Sequence, residues 1–288
     1  MNSVFASQFT SSIVMISDNF KVYDHFSFRN RANKNGGGLN VCNETNITIN
    51  SCNFISNKAE FNGGALFISS DFDSCIIKNT NFRYNQGYLG GAIFCNNTYE
   101  YGNLQILNCK FKGNIGVSVS DAFISTKNVL IENCIFKDAY SQNMTIYISN
   151  GNCTIKSSTF SNNRGTIVFE SNVEESLITD CCFSKATTFF IIFAETLNES
   201  SREISGCCFN ELKENSILGD VYIDDSTFGG ICSQCIFSKD TQIIIFALVI
   251  ALFALLSIIS VFIIFLKKNK NIEKDNNNFY LLGTEDIV

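Results

Sequence analysis

A phrase that returns about once every 26 residues constrains this chain more than any other feature. Cys52-Asn-Phe54-Ile-Ser-Asn57, followed by Gly63-Gly64-Ala65-Leu66, comes back as Thr80-Asn-Phe82-Arg-Tyr-Asn85 with Gly90-Gly91-Ala92-Ile93. A weaker copy precedes it, with Phe28 leading to Gly36-Gly37-Gly38-Leu39. Degenerate copies follow around Phe111 with Asn114, Phe136, Phe160 with Asn163, Phe183, Phe209 and Phe237. A unit this short cannot bury its own apolar face, so it must stack on its neighbours. Within each unit the apolar residues alternate or run in short Ile-, Val- and Phe-rich stretches, such as Asn46-Ile-Thr-Ile-Asn50 and Asn128-Val-Leu-Ile131. These read as short strands, with Asn, Gly and Ser punctuating them as turns require.

The expected architecture is all-β: a right-handed parallel β-helix of eight to nine coils, with equivalent residues stacked about 4.8 Å apart. The recurrent Phe then points inward as an apolar column, and the residue two before it shares that face. Asn57, Asn85, Asn114 and Asn163 sit where the strand bends; Asn tolerates the left-handed conformation and can bond its amide to the backbone of the next coil. The pairs Gly63-Gly64 and Gly90-Gly91 relieve crowding at another corner, through positive φ or close backbone contact.

The second strong signal is Ile243 to Leu266, uncharged and polar only at Ser257 and Ser260. As a helix it measures roughly 36 Å against a hydrocarbon core of about 30 Å, so it is expected to span a membrane. Lys267, Lys268, Lys270 and Lys274 follow it, whereas Lys239 and Asp240 cancel before it. The positive-inside rule therefore puts the C-terminus in the cytoplasm. Expected organisation is an extracellular repeat domain over 1–241, a membrane helix over 242–266 and a cytoplasmic tail over 267–288: a type I single-pass plasma-membrane protein with its N-terminus outside. Sequons at Asn43, Asn46, Asn96, Asn143, Asn152 and Asn198 all precede the apolar segment, in keeping with that orientation. Met1 to Ile16 lacks a basic region and a continuous apolar stretch, so a leader is expected upstream of Met1.

The repeat resembles that of the polymorphic membrane proteins of chlamydial type and of large surface families of parasitic protists, in which Gly-Gly-Ala-Ile/Leu/Val alternates with Phe-x-x-Asn. Phe54 to Leu66 and Phe82 to Ile93 match in full; Phe111 to Asn114 and Phe160 to Asn163 match only the Phe-x-x-Asn half. The resemblance implies a surface-displayed β-helix, often linked to adhesion, and carries no catalytic residues over. Bacterial members end in a transmembrane barrel, so a single apolar segment points to a eukaryotic relative.

Thirteen Cys would ordinarily suggest a disulfide framework. Here Cys109, Cys134, Cys181, Cys207 and Cys235 fall at equivalent steps, where an inward thiol column competes with inter-coil bridges and is favoured. The outward Cys182 and Cys208 also match in register and are the better disulfide candidates. No metal or cofactor is expected: Cys232-Ser-Gln-Cys235 has no second pair at zinc-site spacing. A net charge of −6 and the absence of a cation cluster along the chain argue against nucleic acid as a partner. The single His25 leaves little for hydrolytic machinery and reads as a surface or turn residue. The reading is a non-catalytic surface protein for adhesion or recognition of a host-cell, matrix or glycan ligand, anchored in the lipid bilayer. The alternative is a membrane-anchored polysaccharide lyase or glycoside hydrolase using Asp71 with Asp73, Glu174 with Glu175, or Asp224 with Asp225.

Overall fold

The computed structural model describes Val4–Phe5, Val14–Met15 and residues 19–99, 101–188, 190–194, 201–230 and 232. The chain divides into units Met1–Cys235 and Ile236–Val288, and the second lies outside the described residues. So do Ile243–Leu266, Phe237, Cys235 and Asn198. Among the described residues no helix is long and apolar enough to cross a membrane.

The first unit is a right-handed parallel solenoid of about seven turns, built from three sheets of 10, 12 and 9 described strands. One turn shows the plan. Asn46–Asn50 lies in the third sheet, Asn53–Ile55 in the first, and Lys58–Ala59 with Leu66–Ser69 in the second. Each strand pairs in parallel with its counterparts before and after, as Asn81–Arg83 does with Asn53–Ile55 and Lys110–Lys112. Alternation does the sorting: in Asn46–Asn50 only Ile47 and Ile49 are buried, and in Asn53–Ile55 only Phe54.

The inner Phe column is the spine. Phe54, Phe82, Phe111, Phe136, Phe160, Phe183 and Phe209 stack ring on ring with centroids 4.5–5.3 Å apart and planes within 11°. Burying each ring contributes about 1.5–3 kcal/mol, and offset stacking adds about 0.5–1.5 kcal/mol per pair. Both ends of the expected series need correction. The neighbour of Phe54 below is Ser27, since Ser27 pairs with Phe54 and Phe28 with Ile55. Phe28 stacks instead on Phe26, with Arg29 over its ring. At the other end Phe228 continues the column above Phe209, at 4.8 Å, after a turn of only 19 residues.

Two corners recur at positive φ from turn to turn, and the residue that takes it is not the repeat Asn. It is the residue just before, as at Ser56, Tyr84, Gly113, Asp138 and Asn162, and the one three before each Phe, as at Ser51, Asn79, Asn108 and Asn133. The glycine pairs divide their labour. Gly63 and Gly90 hold φ of +65° and +66°, while a Cβ on Gly64 would collide with the carbonyl of Gly91 in the next turn.

Candidate functional site

Inside the solenoid the repeat residues carry hydrogen-bonded ladders. Asn57 N–H and Nδ2 both donate to Asn85 Oδ1, at 3.0 and 3.1 Å. Asn85 repeats this toward Asn114 Oδ1 and reaches down with Nδ2 to the Phe54 carbonyl at 3.0 Å. Asn163 serves the same corner, accepting from Ala139 N–H and donating to the Phe136 carbonyl. Freed from left-handed geometry, the Asn side chain satisfies corner amides and carbonyls that strand pairing leaves over.

The ladder breaks at Ala139, which stands where the next Asn would be, and another residue closes the gap. Asn114 Nδ2 donates to Asp121 Oδ1 at 2.9 Å. Asp121 takes the step held by Ala65 and Ala92 in earlier turns and is fully buried. Its Oδ2 has no hydrogen-bond partner. Burial raises its pKa from 3.8 to about 7, and the Asn114 bond offsets part of that rise.

A second ladder explains the residue two before each Phe. Cys109 N–H donates to Cys134 Sγ (3.4 Å), Cys134 N–H to Ser158 Oγ (3.1 Å), Cys181 N–H to Cys207 Sγ (3.4 Å) and Cys207 N–H to Ser226 Oγ (3.1 Å). Each side chain in turn donates to the carbonyl two residues before it, as Thr80 does to Lys78 and Cys134 to Glu132. Cys, Ser and Thr interchange here because each offers one small group that both donates and accepts. Cys52, Cys109, Cys134, Cys181 and Cys207 remain thiols. Burial raises Cys109 and Cys181 well above the usual thiol value. The slot above Cys207 belongs to Ser226, not to Cys235.

Cys182 and Cys208 are in register, as expected, but they are not the bonded pair. Cys208 is joined to Cys232, with Cα atoms 5.7 Å apart. Cys232 Sγ lies 4.0 Å from the Phe183 carbonyl, which places Cys232 against the first sheet, a position that register alone does not disclose. His25 needs correction too. It stands at a corner but is buried, its ring 5.8 Å from that of Phe54.

The candidate acids Asp71, Glu174, Glu175 and Asp224 stand beside polar or basic neighbours. Asp71 accepts from Thr98 Oγ1 (2.6 Å) in an exposed turn, and Glu174 pairs with Lys127 (2.8 Å). Glu175 stands in register between Asn152 and Ser201, and Asp224 beside Ser205. Among the described residues no three His, Cys, Asp or Glu side chains converge as metal ligands. Of the sequons, Asn43 and Asn143 are exposed, while Asn46, Asn96 and Asn152 are half-buried.

What the fold does assemble lies on the outer face of the first sheet. Arg83, Lys112 and Lys137 are exposed and stand in direct register on three successive turns. Lys110 occupies the adjacent outward column, between Asn81 and Ile135. None of these four cations makes an ion pair or hydrogen bond among the described residues, and the described strands of this sheet contain no Asp or Glu. Beside Arg83, the exposed Tyr84 ring lies against Gly113. Ile115 and Tyr140, exposed and in register with each other, stand on neighbouring strands of the second sheet, where Arg164 lies over the Tyr140 ring and donates to its hydroxyl. A sequence scan sees no cation cluster because 29 and 25 residues separate Arg83, Lys112 and Lys137 along the chain; knowing the coil length is what reveals it.

Compared with protein-family models, curated proteins and solved structures, the chain matches none.

Proposed function

We propose that this chain is a membrane-anchored surface protein whose β-helix works by adhesion or ligand recognition, without catalysis. In this reading Ile243–Leu266 crosses the plasma membrane, the Lys-rich tail is cytoplasmic and the solenoid faces outward, as in the surface families whose Phe-x-x-Asn and Gly-Gly-Ala repeat it resembles. The supporting observation is the outer face of the first sheet. Its side chains stand in straight columns on a backbone fixed by stacked turns, and they present unpaired cations, with the exposed Tyr84 ring at the corner beside Arg83. Such a face is pre-organised, so binding to it loses little conformational entropy. The exposed Asn43 and Asn143 sequons fit an exported solenoid.

The test uses the full chain in two formats. Displayed on a cell, an N-terminal tag is expected to be reached by antibody without permeabilisation and a C-terminal tag only after it. Purified and coupled to beads, the chain is expected to adhere to cells or matrix while leaving acidic and neutral polysaccharides undegraded. Polysaccharide cleavage abolished by Asp224→Asn or Asp225→Asn would replace this reading with an enzymatic one.

A further inference from the structure

We infer that the outer face of the first sheet docks a linear anionic glycan, with Arg83, Lys112 and Lys137 meeting its acidic groups in sequence and Lys110 flanking them. The inference deepens the recognition reading above and rests on it. Like charges placed directly opposite on neighbouring strands repel. The sheet nevertheless stacks Arg83 on Lys112 and Lys112 on Lys137 with no acid in any of its described strands, in a chain whose net charge is −6. Three cations elsewhere on the solenoid find acids, Arg31 with Glu60, Lys127 with Glu174 and Lys156 with Glu132, while the exposed Lys21, Lys34 and Lys213 form no ion pair among the described residues. What sets the column apart is three cations in consecutive register on strands without an acid, and charge complementarity points to an anion supplied from outside.

Geometry selects the kind of anion. Neighbouring turns lie about 4.8 Å apart, so the three cations span roughly 10 Å in a straight line. That line suits a chain carrying one acidic group every one or two sugar units. Above and below the cations, the same columns present Asn53, Asn81, Thr159 and Ser161, groups able to exchange hydrogen bonds with sugar hydroxyls. A nucleic-acid duplex carries about one charge per 1.7 Å, far more than four cations on an acidic protein can neutralise at physiological salt. A bilayer surface calls for a broad apolar face, and among the outward residues between these cations only Ile135 is apolar.

The experiment measures binding of the full chain, held in phosphatidylcholine nanodiscs free of detergent, to immobilised heparin, polygalacturonate and neutral dextran, with poly-dT and phosphatidylserine vesicles as competitors. Expected are retention on heparin or polygalacturonate, none on dextran, and a log K that falls with log salt at a slope of about −3. Arg83→Gln, Lys112→Gln and Lys137→Gln together are expected to weaken binding at least about tenfold and flatten the slope to about −1. A control chain with Lys21→Gln, Lys34→Gln and Lys213→Gln carries the same change in net charge and keeps full binding. All six side chains are exposed, and unchanged far-ultraviolet circular dichroism confirms the folds. Equal loss in both variants, binding to dextran, or stronger competition by poly-dT or vesicles than by soluble anionic glycan overturns the inference. If the chain adheres to cells yet no anionic glycan retains it, the inference falls and the recognition reading stands; if adhesion is also absent, both fall.

Discussion

Replacing Asp121 by Asn removes a buried carboxyl while keeping its shape, and the resulting change in stability is expected to depend on pH in a defined direction. The carboxyl is fully buried, accepts one bond from Asn114 Nδ2 at 2.9 Å and leaves Oδ2 without a partner. Burial raises its pKa from 3.8 to about 7. An acid whose folded pKa lies above its unfolded value holds its proton more tightly in the native state. Stability is therefore highest below about pH 4, declines as pH rises toward 7, and stays low above that. At about 1.4 kcal/mol per pH unit, the gap between 3.8 and about 7 corresponds to a loss of about 4 kcal/mol in full. The amide introduced by Asp121→Asn would still accept from Asn114 through its oxygen and carries no charge at any pH. Urea unfolding of the two chains at pH 4.5, 6 and 8 reads the difference directly, since every other titrating group is common to both. Asp121→Asn is expected to gain progressively on the wild type as pH rises, by as much as about 4 kcal/mol at pH 8. A difference that stays constant from pH 4.5 to 8 would mean that this carboxyl titrates alike folded and unfolded, and the argument from burial would fail.

Phe111→Ala takes a fully buried ring from between Phe82 and Phe136 and is expected to cost about 3–5 kcal/mol, with hydrogen-exchange protection lost first in the turns on either side; uniform loss from end to end would speak against nearest-neighbour stacking. At the corner ladder, Cys134→Ser is expected to stay within about 1 kcal/mol of wild type, whereas Cys134→Ala strands the Cys109 amide and costs about 1–3 kcal/mol by the same urea assay. Cys232→Ser frees Cys208 beside its in-register neighbour, so peptide mapping under oxidising conditions is expected to find a Cys182–Cys208 bond in that variant.

The period and the Phe-x-x-Asn phrase made the solenoid legible because stacking copies one set of constraints from turn to turn. Where a turn departs from the phrase, the sequence misled. Ser27 substitutes for Phe and leaves Phe28 outside, and the 19-residue step to Phe228 is shorter than any spacing in the repeat. The Asn was expected to bond the backbone of the next coil, but its Nδ2 reaches a carbonyl of the turn before, and the left-handed residue is the one preceding it, often a Ser, Tyr or Asp with no compositional signature. Asp121 was invisible for a related reason: its role follows from Ala139, a gap in a ladder whose rungs must first be known. The Cys208–Cys232 bond joins a repeat cysteine to a residue outside the periodic columns, and no periodicity encodes that.

The same logic says where specificity can reside in such a chain. Inward and corner positions are tied to their counterparts one turn away, so a change at Phe111, Asn85 or Cys134 is felt by two neighbours at once. Outward positions in the first sheet answer to no such requirement: the column holding Arg83, Lys112 and Lys137 also holds Ile55 and Ser161, and the strands beneath them pair in the same way. A surface side chain there can change at little cost to the fold, typically within about 0.5 kcal/mol. A run of three like charges in such a column is then a feature the fold does not require, and repulsion within it works against its retention unless a ligand compensates.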